Sequence, residues 1–371
     1  MSEPQVTIVV VPRERFQFAR ESLESLYENT NFPFKLVYVD NNSPKKLRRY
    51  LEAQRKEGEF QLVSSPYYIS PNAARNLALL QVETKYVVFV DNDVIFAPNW
   101  LKPLVNCAEE TNATVVGSLV CQYKPVHEII HCAGGEYMSS KELALFMRDE
   151  PAVSQTNEKK GKWLINEKTP YQNQRLADVT DKFQRQPTGF IEFHSMLVRR
   201  EIFEKIGMLD EGFSCTKEYL DFAMSVNKAG GEIYLEPESV VTFLTHPPAP
   251  ALKWEDLPYF MLRWSDAWEL NNLLYFQEKW DLVENEYFKR RCTKKLGIRR
   301  QEKFIEPLVK RFKFLPKPAR KWLEKRLVAW ERKLNHYLFN RYTKLVNHHV
   351  AMGTDINSSV QESTASLTTV S

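Results

Sequence analysis

The sequence predicts an α/β protein: a mostly parallel sheet flanked by helices, followed by a helical, basic C-terminal extension. Three observations predict it. Through the first 120 residues, apolar β-branched runs alternate with amphipathic helical segments, the pattern of strands joined by crossover helices. Two of those runs, Thr7-Ile8-Val9-Val10-Val11 and Tyr86-Val87-Val88-Phe89-Val90, are almost continuously apolar, as strands covered on both faces require. Beyond His246 the period turns helical and the charge turns strongly positive.

Taken in order, the strands are expected over Val6–Val11, Leu36–Asp40, Phe60–Ser64, Tyr86–Asp91 and Thr114–Val120. Between them, Gln17–Tyr27 sets Phe18, Leu23, Leu26 and Tyr27 on one helical face, and Asn72–Val82 is the helix that precedes the fourth strand. From Asp149 to Gln186 the composition turns polar, and Lys159-Lys160-Gly161 and Pro170 break any long period. Residues 149–186 therefore read as a polar insertion or mobile loop. Order resumes at Gly189, with a strand over Phe190–Arg199, a short helix over Glu201–Ile206 and a helix over Glu218–Ala229 stopped by Gly230-Gly231. Strands over Glu232–Leu235 and Val240–Leu244, separated by Pro237, complete a domain spanning residues 1–250. Residues 251–352 follow as a helical region in which Leu323, Leu327, Trp330, Leu334 and Leu338 form one stripe. The Ser/Thr-rich residues 353–371 are expected to be disordered.

Composition narrows the class. With 43% hydrophobic and 26% charged residues, the chain is ordinary globular protein. Five cysteines without a Cys-x-x-Cys pair argue against a disulfide framework and a structural zinc site, and for a reducing, cytoplasmic setting. The opening MSEPQVTIVVV has no basic or apolar leader region, and no run approaches 18 apolar residues, so neither secretion nor a membrane span is expected. A net charge of +4 hides a division: Lys289–Lys344 carries 20 Lys/Arg against 4 Glu, a surplus of 16 that leaves −12 on the remainder. That region reads as a solvated helical face or, with Trp322, Trp330 and Phe339, as a peripheral attachment to an anionic membrane surface. No nucleic-acid module accompanies the charge, so no nucleic-acid partner is expected.

The chemistry concentrates at strand ends. The fourth strand delivers Asp91-Asn92-Asp93 at its C-terminal edge, where open α/β sheets bind ligands. Two carboxylates one residue apart can hold Mn²⁺ or Mg²⁺ whose other ligands are diphosphate oxygens and water; a polar turn closing a strand explains the same residues. The second strand ends in Asp40-Asn41-Asn42-Ser43, a cleft wall or an Asx turn. Glu218 and Asp221 open a helix, suited to take a proton from an acceptor hydroxyl or to complement the helix dipole. His127, His131 and His194 read as structural.

The order of these pieces resembles family 2 glycosyltransferases, with their GT-A nucleotide-diphosphosugar fold. Val9-Val10-Val11-Pro12-Arg13 is similar to the family's first strand and donor loop, without its usual Thr-Tyr-Asn-Arg wording. Asp40 falls where the family places an acid against the base, Asn72-Ala73-Ala74-Arg75-Asn76 resembles its Ala-Arg-Asn segment, and Asp91 and Asp93 fall on its Asp-x-Asp motif. Gly189-Phe190, the run from Met196 to Phe213 and Glu218-Tyr219-Leu220-Asp221-Phe222 resemble its acceptor-side strand, helix, turn and acidic helix start, with Tyr219 where a second acid is frequent. The resemblance implies an inverting, metal-dependent transferase that moves a sugar from a nucleotide-diphosphate sugar to a glycan or lipid-linked acceptor, as in polysaccharide synthesis. It implies donor binding by Pro12, Arg13, Asp40, Asn42, Arg75 and Asp91, and Mn²⁺ or Mg²⁺ at Asp91, Asp93 and His246. Glu218 or Asp221 would be the base. Two other readings stand beside it. One is a catalytically inactive nucleotide-sugar binding module on the same fold. The other is a nucleotidyltransferase, against which Val11-Pro12-Arg13-Glu14-Arg15 contains no glycine.

Overall fold

The computed structural model describes residues 3–56, 60–151, 161–244, 253–290, 292 and 295–351. The described strands are β1 (Val6–Val11), β2 (Lys35–Asn41), β3 (Gln61–Ser65), β4 (Tyr86–Asp91), β5 (Val94–Phe96), β6 (Val115–Gln122), β7 (Ile130–Cys132), β8 (Gln186–Pro187), β9 (Ser195–Arg199) and β10 (Ile233–Phe243). They form one sheet in the order β3-β2-β1-β4-β9-β6-β10-β5, with β7 on β6 and β8 on β10. Helices α1 (Ala19–Asn29), α2 (Lys45–Lys56), α3 (Pro71–Leu79), α4 (Leu101–Thr111), α5 (Ser140–Met147), α6 (Ile202–Ile206) and α7 (Glu218–Lys228) flank it.

Half of the sheet is parallel. β1 runs beside β2 and β4 in the same direction, with Val10 level with Tyr38 and Val11 level with Asp91. Every residue of β1 and β4 is buried, which is why their sequences carry no polar alternation. The other half is mixed, because β9 enters between β4 and β6 antiparallel to both. β9 is also shorter than the strand expected over Phe190–Arg199. The residues before it cross the sheet closely enough that a Cβ on Gly117 would lie 2.2 Å from Ile191 Cγ2. β10 is one strand where two were expected, because Pro237 falls within a register shift between Glu236 and Val240, and a bulge tolerates a residue without an N–H.

The described part of 149–186 is not a loose loop. Trp163, Ile165 and Val179 are buried in the main core, and Trp163 is tied by backbone hydrogen bonds to Asp281 and Val283. These apolar residues are too sparse to register against a polar background.

The C-terminal region comprises α8 (Leu257–Arg263), α9 (Asp266–Lys279), α10 (Glu286–Lys289), α11 (Ile298–Arg300), a π turn over Gln301–Ile305, α12 (Glu306–Arg311) and α13 (Lys317–Ala351). It is built onto the loops at the C-terminal edge of the parallel strands. Tyr259 Oη donates to the Ile69 carbonyl (3.0 Å), Phe16 N donates to Asp256 Oδ1 (2.8 Å), and Tyr342 Oη donates to the Tyr68 carbonyl. The rotation of α13 differs from the expected stripe. Trp330 is 62% exposed, whereas Glu331 and Asn335 are buried. Glu331 meets the buried Arg300 at 2.6 Å and Asn335 Nδ2 donates to the Met261 carbonyl at 2.8 Å. A buried charge left unpaired costs more than an exposed indole, so the polar anchors set which face docks. No described helix is long and apolar enough to cross a membrane. His246, the boundary expected at 250 and the tail from 353 lie outside the described residues.

Candidate active site

Because β1, β2 and β4 are parallel neighbours, their C-terminal ends open onto one edge. Asp40 and Asp91 leave that edge on either side of β1, two strand spacings or about 10 Å apart. Asp91, Asn92 and Asp93 are completely buried, because the loop after β1 folds over them. Arg13 N donates to Asn92 Oδ1 (3.0 Å) and Arg13 Nη1 to Asp91 Oδ2 (3.0 Å), while Arg15 Nε donates to Asp93 Oδ2 (2.6 Å). Arg15 takes the left-handed conformation, φ 64°, and its guanidinium lies 4.7 Å from the centre of the Phe243 ring. Glu14 points the other way, accepting from Arg263 Nη1 (2.6 Å) and Trp264 Nε1 (3.2 Å) of α8 and its end. The Arg-Glu-Arg loop is thereby held on both sides, by the acidic turn and by the C-terminal helices. Pro12 is buried at its start.

The two carboxylates of the turn differ electrostatically. Burial alone would raise Asp91, but Arg13, His194 and Arg75 together hold it well below the usual carboxylate range. Burial pushes Asp93 up in spite of Arg15, and the neighbouring charge of Asp91 adds to that. Among the described residues, Asp91 Oδ1 and Asp93 Oδ1 are buried without a hydrogen-bond partner. Oδ1 of each carboxylate is an oxygen donor of the kind that Mn²⁺ or Mg²⁺ takes.

Arg75 lies on the face of Phe193 (3.8 Å) with Nη2 3.7 Å from Asp91 Oδ1. Burial lowers its pKa to about 10. The rest of the Ala-Arg-Asn segment joins α3 to the turn before α7: Asn72 Nδ2 donates to the Asp210 carbonyl (2.8 Å), and Asn76 exchanges hydrogen bonds with the Leu209 backbone (2.8 and 3.0 Å).

Glu218, the first residue of α7, is brought to the same place. Its Oε1 is 4.0 Å from Arg13 Nη2, and its buried Oε2 has no hydrogen-bond partner among the described residues. Asp221 is not brought there. Its Oδ1 accepts from Trp280 Nε1 and lies within ion-pair distance of Lys279 Nζ, both at 2.7 Å, so this carboxylate anchors α7 to α9. Tyr219 Oη and Lys217 Nζ both donate to Glu167, an acid of the expected insertion that sequence reasoning did not single out.

At the β2 end, both oxygens of Asp40 are engaged, Oδ1 by Ser43 N (2.7 Å) and Oδ2 by Arg48 Nε (2.8 Å); Arg48 also reaches Asn42 Oδ1 (3.1 Å). The Asx-turn reading describes this local geometry. The described chain of β10 reaches the turn at Leu244, whose N–H donates to the Asp93 carbonyl (2.9 Å).

Two histidines read as structural belong to this edge. His194 Nδ1 is 2.7 Å from Asp91 Oδ2, and its ring stacks on Phe243 at 3.9 Å. His131 and His194 both approach Glu192. The signal that locates His194 is the pairing of Val90 with Ser195, which sets the residue before β9 beside Asp91. A separate groove of about 750 Å³ near Gly135, Lys168 and Ile233 is lined by none of these acids.

The sequence profile of Glycosyl transferase family 2 matches residues 7–207, more than half of the chain. The O-antigen biosynthesis protein RfbC of Myxococcus xanthus is 24% identical over 230 residues, 61% of this chain and 16% of that protein. An uncharacterized glycosyltransferase of Rickettsia bellii (strain RML369-C) is 23% identical over 112 residues, 30% of this chain and 16% of that protein. The chain therefore matches only 16% of the length of either relative. A crystal structure of GalNAc-T7 with UDP, GalNAc and Mn²⁺ superposes with a TM-score of 0.49 at 15% identity, over 85% of this chain and 59% of that one.

Proposed function

The chain belongs to glycosyl transferase family 2, and on that premise we propose that it transfers a sugar from a nucleotide-diphosphate donor at the Asp91-Asn92-Asp93 turn, with inversion at the anomeric carbon. The observation that carries the reading is that Asp91 Oδ1, Asp93 Oδ1 and Glu218 Oε2 are buried with no hydrogen-bond partner among the described residues, the first two on the turn that closes β4 and the third on a carboxylate facing Arg13. Mn²⁺ or Mg²⁺ held by those two oxygens would supply positive charge to the departing diphosphate. Arg13 and Arg15 fix the carboxylates and add cationic charge to the same turn. Arg75 orients Asp91, while Pro12, Asp40 and Asn42 shape the nucleotide side. As the acceptor oxygen bonds to the anomeric carbon, the bond from that carbon to the diphosphate oxygen breaks and the hydroxyl proton passes to Glu218 Oε2. Glu218 takes this role rather than Asp221 because its Oε2 has no hydrogen-bond partner among the described residues and its carboxylate faces Arg13.

A thermal-shift screen of nucleoside diphosphates with and without Mn²⁺ tests this, since a bound ligand stabilises the folded state by mass action. One nucleotide should stabilise the wild type only with Mn²⁺, and Asp93→Asn should remove the effect. Equal stabilisation without metal and in Asp93→Asn would remove the cation from the reading. Binding without donor hydrolysis or transfer to any of a panel of acceptors would favour an inactive binding module.

The outer face of α13 supports an acceptor carried at a membrane. Trp322, Trp330 and Tyr337 are 60%, 62% and 60% exposed. Exposed Arg326, Lys333, Arg341 and Lys344 alternate with them at three- and four-residue steps, away from the buried Glu331 and Asn335. Aromatic rings between cations suit the headgroup layer of an anionic bilayer, and this supports a reading in which the protein attaches peripherally at the cytoplasmic membrane face. The protein should co-sediment with vesicles containing phosphatidylglycerol and not with pure phosphatidylcholine, and Trp322→Ala with Trp330→Ala should weaken it. Equal behaviour on both vesicles would refute the assignment.

A further inference from the structure

We propose that His131, Glu192 and His194 form a second divalent-metal site, separate from the Asp91-Asn92-Asp93 turn and selective for a transition metal. His131 Nε2 and His194 Nε2 stand 3.0 Å and 3.2 Å from Glu192 Oε2, and the three ligand atoms lie within 4.8 Å of one another. Two ligands bonded to one cation at about 2.1 Å, at angles between octahedral and tetrahedral, are separated by about 2.9–3.4 Å. The observed spacings from the carboxylate match that edge length.

The surroundings are those of a supported ligand set. A metal-binding imidazole usually has its second nitrogen held by a carboxylate or carbonyl, which fixes the ring and the tautomer. His194 Nδ1 is held by Asp91 Oδ2 at 2.7 Å and His131 Nδ1 faces Gln122 Oε1 at 3.4 Å, so both Nε2 atoms are the inward-facing ones. The stacking of His194 on Phe243 restricts the ring further. The ligands come from two rigid places, β7 and the approach to β9, rather than from one mobile loop. The site also keeps an open side, since the side chains of His131 and Glu192 are 19% and 22% exposed. A water or an oxygen of a small anion could complete the coordination there.

Two imidazoles and one carboxylate favour Zn²⁺, Co²⁺ or Mn²⁺ over Mg²⁺ and Ca²⁺, whereas the all-oxygen pair at Asp91 and Asp93 favours Mg²⁺ or Mn²⁺. The two sites communicate through one ring, because His194 touches Asp91 with one nitrogen and the new site with the other. The inference requires neither a donor nor turnover, so it stands or falls apart from the transferase reading.

Titration of the purified full chain with Co²⁺, followed by visible absorption and competed with Zn²⁺, tests it. The wild type should bind one equivalent of Co²⁺ with ligand-field absorption that Zn²⁺ abolishes and millimolar Mg²⁺ does not. Asp93→Asn should keep that absorption. His131→Ala should weaken Co²⁺ by more than the roughly 10- to 100-fold that losing an outer-shell partner costs. Glu192→Gln, which preserves size, should do the same while circular dichroism shows an unchanged fold. Absence of Co²⁺ absorption in the wild type, or unchanged affinity in both His131→Ala and Glu192→Gln, would overturn the assignment and leave the cluster as a hydrogen-bonded network.

Discussion

Replacing Glu14 with glutamine should cost far more than a loop substitution ordinarily does. The residue is 3% exposed and its partner Arg263 is completely buried. Burial alone would push the Glu14 carboxyl up, yet Arg263, Arg15 and Arg13 bring it down from 4.5 to about 2. At about 1.4 kcal/mol for each tenfold change in proton affinity, that displacement is worth about 3 kcal/mol. Breaking a buried ion pair from one side costs a similar amount, about 3–5 kcal/mol. Glu14→Gln should therefore lower unfolding free energy at pH 7 by about 3–5 kcal/mol, read from denaturant curves. The pH dependence has a definite sign. A carboxyl whose folded pKa is depressed stabilises above its unfolded value and loses that contribution as pH falls, here between about 4.5 and 2. The gap between wild type and Glu14→Gln should be full at pH 6 and narrow steadily in acid. Replacing both partners by apolar residues, Glu14→Leu with Arg263→Met, should recover most of the loss, because neither charge is then stranded. A Glu14→Gln loss below about 1 kcal/mol, or a gap that does not change with pH, would refute the reasoning, since exposed pairs behave that way.

Other outcomes follow from the same geometry. Glu218→Gln should lower turnover by about 10²–10⁴-fold with donor affinity preserved, in steady-state transfer assays, the range a positioned general base supplies. Asp221→Asn should instead lower stability, by about 1–3 kcal/mol for the weakened contacts to Lys279 and Trp280, with turnover near wild type; the reverse pattern would move the base to Asp221. Arg300→Met, which leaves Glu331 buried and alone, should cost about 3–5 kcal/mol in denaturant unfolding, and an unperturbed variant would show that α13 does not depend on that pair.

The parallel half of the sheet was legible because its cause is local. β1 and β4 are covered on both faces, so their apolar runs mark them to the residue, and Asp91 and Asp93 stand out at the end of β4. What was not legible depends on distant partners. Nothing within Phe190–Arg199 states that its strand will insert antiparallel between β4 and β6, and without that pairing His194 has no reason to meet Asp91. The face of α13 was misread for a related reason. Periodicity weighs Trp330 as apolar, but a buried Glu331 is decided by Arg300, which lies 31 positions away in the chain. Asp221 looked equivalent to Glu218 from helix spacing, and only the position of α9 separates them.

The Phe243 ring carries a consequence of its own. One aromatic surface supports Arg15, which neutralises Asp93, and His194, which steadies Asp91. A smaller residue at 243 would slacken both counter-ions in a single step. On the proposed reading, donor affinity and metal preference would then drift together under one nucleotide change, and an engineer wishing to alter either alone would have to leave this position untouched.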